Sequence, residues 1–192
     1  MSAYRKERID NAIGFFTQEH FERTRKHLTQ TSLWKYLAFF EREMIQKTGI
    51  PPLELEYSAW QFGPVPYKLR ETFLNNTYKS ELIDYNVSKG ETTEIIIKPG
   101  KTDYNLDFFS DIEIEEMFRL IEIFAASSIH AKTMSEASHQ EMLSWQKAWN
   151  KKGTKNSHPI DFAEEFTGDI RNKPEEKLTL QEEMFLAYEA IK

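Results

Sequence analysis

The chain has 192 residues, the length of one ordinary domain with a full-sized core. It contains no cysteine, which excludes disulfides, thiolate metal sites and a cysteine nucleophile. With 25 Lys and Arg against 31 Asp and Glu, the formal charge is −6, which argues against a general binder of phosphate backbones.

The first ten residues are charged and no apolar signal core follows, and no apolar run reaches the length of a membrane span. A cytoplasmic location is therefore expected. Ile9, Ile13 and Phe16 recur at helical spacing and predict a helix over residues 4–19. Leu33, Leu37, Phe40 and Met44 make one apolar stripe and predict a second over 32–47, capped by Thr31 or Ser32. Gly49 and the pair Pro51-Pro52 end it. After Gly63 turns the chain, a helix over 66–75 points Leu69 and Phe73 inward.

The period then changes. Residues 82–87 and 93–98 read as a β-hairpin around Ser88-Lys89-Gly90-Glu91, and the β-content is expected to be confined to it. Ser110-Asp111-Ile112-Glu113 is a capping box, and Ile114, Met117, Phe118, Ile121, Phe124 and Ala125 give the best-supported core helix. The acidic side chains between Asp107 and Glu122 read as its solvated face. Short helices follow at 131–136 and 141–151, then a polar loop over 151–158, a turn or two at 159–166 and a linker over 168–177. Thr179-Leu180-Gln181-Glu182 opens a terminal helix with Leu180, Met184, Tyr188 and Ile191 on one face. The expected fold is mainly α with one small β-hairpin, an α+β single compact helical domain.

Catalytic signatures are missing. There is no GxGxxG, no Walker-type loop, no GxSxG elbow and no HExxH. The five histidines, His20, His27, His130, His139 and His158, form no ligand pair at helical spacing, so neither a metal nor a cofactor is expected. Arg23, Arg25 and Lys26 read as a solvated loop or helix end, with an acidic or nucleic-acid partner as the alternative. Ser138 and His139 are adjacent, and adjacent side chains point apart, so catalysis would need remote partners. Ser138 instead reads as the cap of a helix beginning near Gln140, with His139 in a buried hydrogen bond or at a surface. The aromatics, 14% of the chain, divide between core and recognition. Trp60, Phe62, Trp145 and Trp149 lie near turns and read as local core, with a protein-binding hot spot as the alternative.

Three blocks carry a family resemblance: Leu33-Trp34-Lys35-Tyr36-Leu37-Ala38-Phe39-Phe40; Tyr57-Ser58-Ala59-Trp60-Gln61-Phe62-Gly63-Pro64-Val65-Pro66; and Met134-Ser135-Glu136-Ala137-Ser138-His139-Gln140-Glu141 with the later Trp145. In this order and spacing the chain resembles the Panacea domain, the SocA-like, phage-associated antitoxin family, over residues 4–149. Residues 1–152 are thus the Panacea-like domain, and 153–192 a C-terminal extension packed on it.

The resemblance implies an antitoxin of a bacterial or prophage toxin–antitoxin pair, binding a cognate protein toxin with no reaction of its own. It implies a toxic small alarmone synthetase or another translation-targeting toxin as partner. The alternative it implies is an adaptor that delivers its partner to a Clp-type protease. No membrane or nucleic-acid partner is expected; a DNA-binding autoregulator and an enzyme using His139 are the remaining alternatives. The residues that carry the resemblance, and hence the site expectation, are Trp60, Phe62, Gly63, Pro64, Val65, Pro66, Ser138, His139 and Trp145.

Overall fold

The computed structural model describes residues 4–90, 92–126, 131–151 and 158–192; Glu91 of the predicted turn, His130 and residues 152–157 of the predicted polar loop lie outside them. Helix α1 (Arg5–Thr24) runs past its predicted end, so Arg23 lies in its last turn. Strand β1 (Leu28–Thr29) leads into α2 (Gln30–Thr48), around which the other elements are arranged. The cap of α2 is Thr29, whose side chain accepts from Ser32 N at 3.3 Å, in place of the predicted Thr31 or Ser32. Gly49 closes α2 at φ 77°, as the sequence predicts.

Helix α2 is buried nearly all round, because its apolar residues do not stop at one stripe. Trp34, Tyr36, Leu37, Ala38 and Phe40 are all buried. From α1, Phe16 stacks on Tyr36 with ring centroids 4.8 Å apart, and Phe15 is also buried. Helix α3 (Tyr67–Leu74) buries Leu69 and Phe73, as predicted. Helix α4 (Asp111–Phe124) adds Met117, Leu120, Ile121 and Phe124 beneath a complete capping box.

Strands β4 (Ile83–Lys89) and β5 (Thr93–Pro99) form the predicted hairpin, and β1 joins it in the order β1-β5-β4. The β-content is not confined there. Strands β2 (Ser58–Trp60) and β3 (Gly63–Val65) pair antiparallel, and β6 (His158–Pro159) adds to β2, making a second sheet of order β3-β2-β6. The local pattern concealed it because each strand is two or three residues long, too short for an alternation to register.

Helices α5 (Ala131–Glu141) and α6 (Leu143–Trp149) meet at Met142. The acidic residues of α4 are also not uniformly solvated. Glu116 is fully buried and pairs with Lys47 at 2.5 Å and Arg119 at 2.6 Å, while Glu113 pairs with Arg8.

The C-terminal segment packs on this body. Three short 3-10 turns, Phe162–Glu165, Ile170–Asn172 and Glu175–Lys177, precede helix α7 (Leu180–Ile191). The predicted linker therefore carries structure, and Ile170 within it is buried. The buried Glu165 carboxylate accepts from Ser144 N at 2.9 Å and from Arg42 Nε at 3.0 Å, tying the segment to α6 and α2. Helix α7 has its predicted capping box, but it buries Glu182 and Phe185. On the predicted apolar face Leu180, Met184 and Ile191 are exposed and Tyr188 is partly buried. Phe185 wins because it fills a separate small core with Ile45, Ala163 and Ile170.

Glu41 is a fully buried carboxylate near the centre of α2. Its carboxylate accepts from Leu55 N at 2.8 Å and Leu53 N at 3.5 Å. Burial outweighs these two bonds and pushes its pKa up to about 8. Between pH 4.5 and 8 the folded chain thus holds a proton that the unfolded chain has lost, so this group lowers stability as pH rises. On going from pH 4.5 to 8, wild type is expected to lose on the order of 2–4 kcal/mol relative to Glu41→Gln. Urea titrations of both proteins across that window measure the difference; a gap that does not move with pH contradicts it.

A groove where the three sequence blocks meet

Trp60 pairs with Gly63 in the β2–β3 reversal, leaving Gln61 and Phe62 at its tip. Neither tip residue has positive φ, so the chain completes the turn at Gly63, φ 104°. Tip side chains project off a two-stranded ribbon, and Phe62 is accordingly 64% exposed. This corrects the expectation that Phe62 lies in the local core. Trp60, one residue before the tip, is half-buried against the main core.

The space beneath Gly63 has a specific use. A β-carbon there would lie 2.5 Å from Ser138 Oγ and 2.6 Å from Lys35 Nζ. Glycine lets a residue of α2 and a residue of α5 approach the same point of the β2–β3 turn. Ser138 is not a helix cap: it lies within α5, is fully buried and donates to Ser135 O at 2.8 Å. Trp145 of α6 donates from its indole to Trp60 O at 3.2 Å. His139 stacks on Trp145 at 4.1 Å, and Trp149 also stacks on Trp145, at 5.6 Å. Burial, and then the charge of Lys35, hold the His139 pKa below the usual histidine value, and its Nε2 is buried without a partner among the described residues. Val65 and Pro64 pair with Ser58 and Ala59 in the ribbon, and Pro66 caps α3.

Outside this support lies an open groove of about 780 Å³. Its walls are the first two turns of α2, with Gln30, Trp34 and Lys35, the ribbon tip, Arg70 of α3 and the start of β5 at Thr93 and Glu94. The hairpin is held to this place by Gln30 Nε2, which donates to Thr93 O at 2.8 Å. Arg70 lies over the Trp60 ring at 4.9 Å, an ordinary cation–π distance.

At the groove floor is Lys35, 1% exposed. Its ammonium has no hydrogen bond and no ion pair among the described residues. Burial alone pulls its pKa down to about 7. A buried, unpaired lysine opposes folding, because its charge leaves water without compensation.

The model of the SocA-like antitoxin family, Panacea domain, matches residues 33–146, more than half of the chain. The chain belongs to this family. No curated protein and no solved structure matches it. The Panacea match starts at Leu33 and stops at Gln146, so it contains all three blocks and is narrower than the 4–149 resemblance. Helix α1, most of the last turn of α6 and the C-terminal segment fall outside it. Strand β6, from beyond the match, nonetheless completes the sheet that carries the Panacea ribbon.

All nine residues singled out from the sequence sit in or directly behind the ribbon, and they divide by role. Gly63, Pro64, Val65, Pro66, Ser138 and Trp145 support; Phe62 and Trp60 face the groove; His139 packs behind on Trp145. Sequence reasoning gives no site role to Gln30, Trp34, Lys35 or Arg70, although Trp34 and Lys35 lie in the first block. One signal was available for Lys35: it lies in a run of Leu, Trp, Tyr, Leu, Ala and Phe too apolar for a helix with a wet side.

Proposed function

We propose that this Panacea chain is an antitoxin that neutralises a cognate protein toxin by binding it directly, with no reaction of its own. The observation that carries this reading is the convergence of the three family blocks on one groove with an exposed aromatic at its lip. Most side chains of the blocks are buried in support, and what faces the groove is Phe62 and Trp60, with Arg70 of α3 beside them. Aromatic and arginine side chains beside a concave surface are the usual anchors of protein recognition. The cytoplasm is the compartment in which such a pair would meet.

The test is co-expression with the toxic product of a neighbouring gene, followed by co-purification. The partners that the family resemblance names, a toxic small alarmone synthetase or another translation-targeting toxin, are the first to try. Growth rescue together with a stable complex supports neutralisation by binding. Rescue with a shortened toxin half-life and no stable complex would instead support the adaptor reading. Failure to rescue any neighbouring toxin overturns both.

Phe62→Ala separates binding from folding. Stability is expected to change by no more than about 0.5 kcal/mol, because the ring is mostly solvated. Partner affinity is expected to fall about 10- to 100-fold. Calorimetric titration of the purified partner, alongside a urea titration, checks both; unchanged affinity removes Phe62 from the interface.

A further inference from the structure

The groove is unusual in what its polar groups lack. Among the described residues Lys35 Nζ has no hydrogen bond or ion pair, and the indole N–H groups of Trp34 and Trp60 are buried without an acceptor. Arg70 has no ion-pair partner among the described residues. The first turn of the 19-residue helix α2 opens on the same space, adding the positive end of its dipole. Among the described lining residues Glu94 is the one carboxylate and Gln30 Oε1 is a buried acceptor without a partner, while Gln61 and the threonines can both donate and accept. The groove therefore carries an excess of donors and positive charge, opposite in sign to the chain as a whole.

We propose that this groove is the receptor for a carboxylate side chain of the bound partner, taken by Lys35 at the floor, with an apolar neighbour of that carboxylate packed on Phe62. The inference rests on the antitoxin reading above. A carboxylate fits better than a phosphate for three reasons. Apart from the N-terminus of α2 the donors are isolated side chains, and no glycine-rich run of backbone N–H groups lines the space. Glu94 at the rim repels a dianion more than a monoanion. The exposed Phe62 at the lip needs an apolar partner, which a polypeptide segment supplies beside its acid. Charge complementarity at a buried position also fixes register, because a wrong segment leaves the ammonium unpaired.

Two measurements test this. In the first, the isolated protein is titrated with N-acetyl-phenylalanyl-glutamate amide, its glutamine counterpart and inorganic phosphate, following the indole N–H resonances of Trp34 and Trp60. The acidic dipeptide is expected to give saturable shifts, at least 10-fold weaker with the glutamine form and with Lys35→Met. Equal binding of the two dipeptides, or no shift of either indole, overturns the proposal. Tighter binding of phosphate than of the acidic dipeptide assigns the groove to a phosphate-bearing ligand instead.

In the second, Lys35→Met is co-expressed with the toxin that wild type neutralises, with a thermal melt to verify folding. Lost rescue by a folded variant is expected. Full rescue sinks the carboxylate receptor and leaves the antitoxin reading intact. If wild type neutralises nothing, the antitoxin reading falls, and the dipeptide titration still decides the groove.

Discussion

Lys35→Met is expected to make the fold more stable, by on the order of 2–4 kcal/mol at pH 7. Most substitutions of a buried residue do the opposite. The reason is that the wild-type ammonium has been taken out of water without a counter-charge or an acceptor, which holds its pKa near 7. Methionine keeps the length of the side chain and removes the charge. The pH dependence follows with a definite sign. Above pH 7 the unfolded chain still holds the lysine proton and the folded chain has released it, so wild-type stability rises with pH until about 10.5. Below pH 7 both states are protonated and the penalty is full. The gap between variant and wild type should therefore be widest at and below pH 7 and shrink toward pH 10. Urea titrations at a series of pH values read this directly. A variant less stable than wild type at pH 7 would mean that Lys35 is held by the fold rather than in spite of it.

Gly49→Ala is expected to detach the C-terminal helix. The residue ends α2 at φ 77°, where a side chain adds about 1–3 kcal/mol of strain. Strain alone would be tolerated, but an added β-carbon would also sit 2.2 Å from Gln181 O and 2.9 Å from Phe185 N. Both are backbone atoms of α7 and cannot swing aside. The helix must move, and Phe185 leaves its site beside Ile45, which forfeits about 1.5–3 kcal/mol of burial. Together the loss is on the order of 3–5 kcal/mol. Gly168→Ala is the control: its φ is 81°, yet nothing lies within 4 Å of the added carbon, so only the strain remains. Amide exchange shows which happens. Rapid exchange along α7 with normal protection of α1 and α2 is the expected pattern; α7 amides as slow as in wild type contradict it.

The legible part of this fold was what repeats over several turns. Helices α1, α2, α4 and α7, and the β4–β5 hairpin, announce themselves through period and caps, because each is long enough for a face to form. The β2–β3–β6 sheet did not, since three strands of two or three residues have no period and one of them comes from residues 158–159. The face that α7 buries is hidden for a related reason. Leu180, Met184 and Ile191 form a clean stripe, but helix periodicity gives an apolar face without saying which neighbour is there to cover it. Glu113 and Glu116 were read as solvated because only the tertiary fold brings Arg8 and Lys47 to them.

The site was legible as a list of residues and illegible as a chemistry. The blocks around Trp60, Gly63, Ser138 and Trp145 could be picked out, and the structure gathers them. What the sequence concealed is that most of them are a scaffold, and that the residue they surround is Lys35. A charged residue within one turn of Trp34 and Tyr36 reads as the wet side of a helix until the fold shows that this helix has none.

Amide hydrogen exchange of the protein, free and in complex with the toxin it neutralises, tests the binding groove most directly. Added protection is predicted at the start of α2, the β2–β3 ribbon through Arg70, and the start of β5, with α4 and α7 unchanged. Protection confined to the outer faces of α4 or α7, with the groove exchanging as in the free protein, would contradict it.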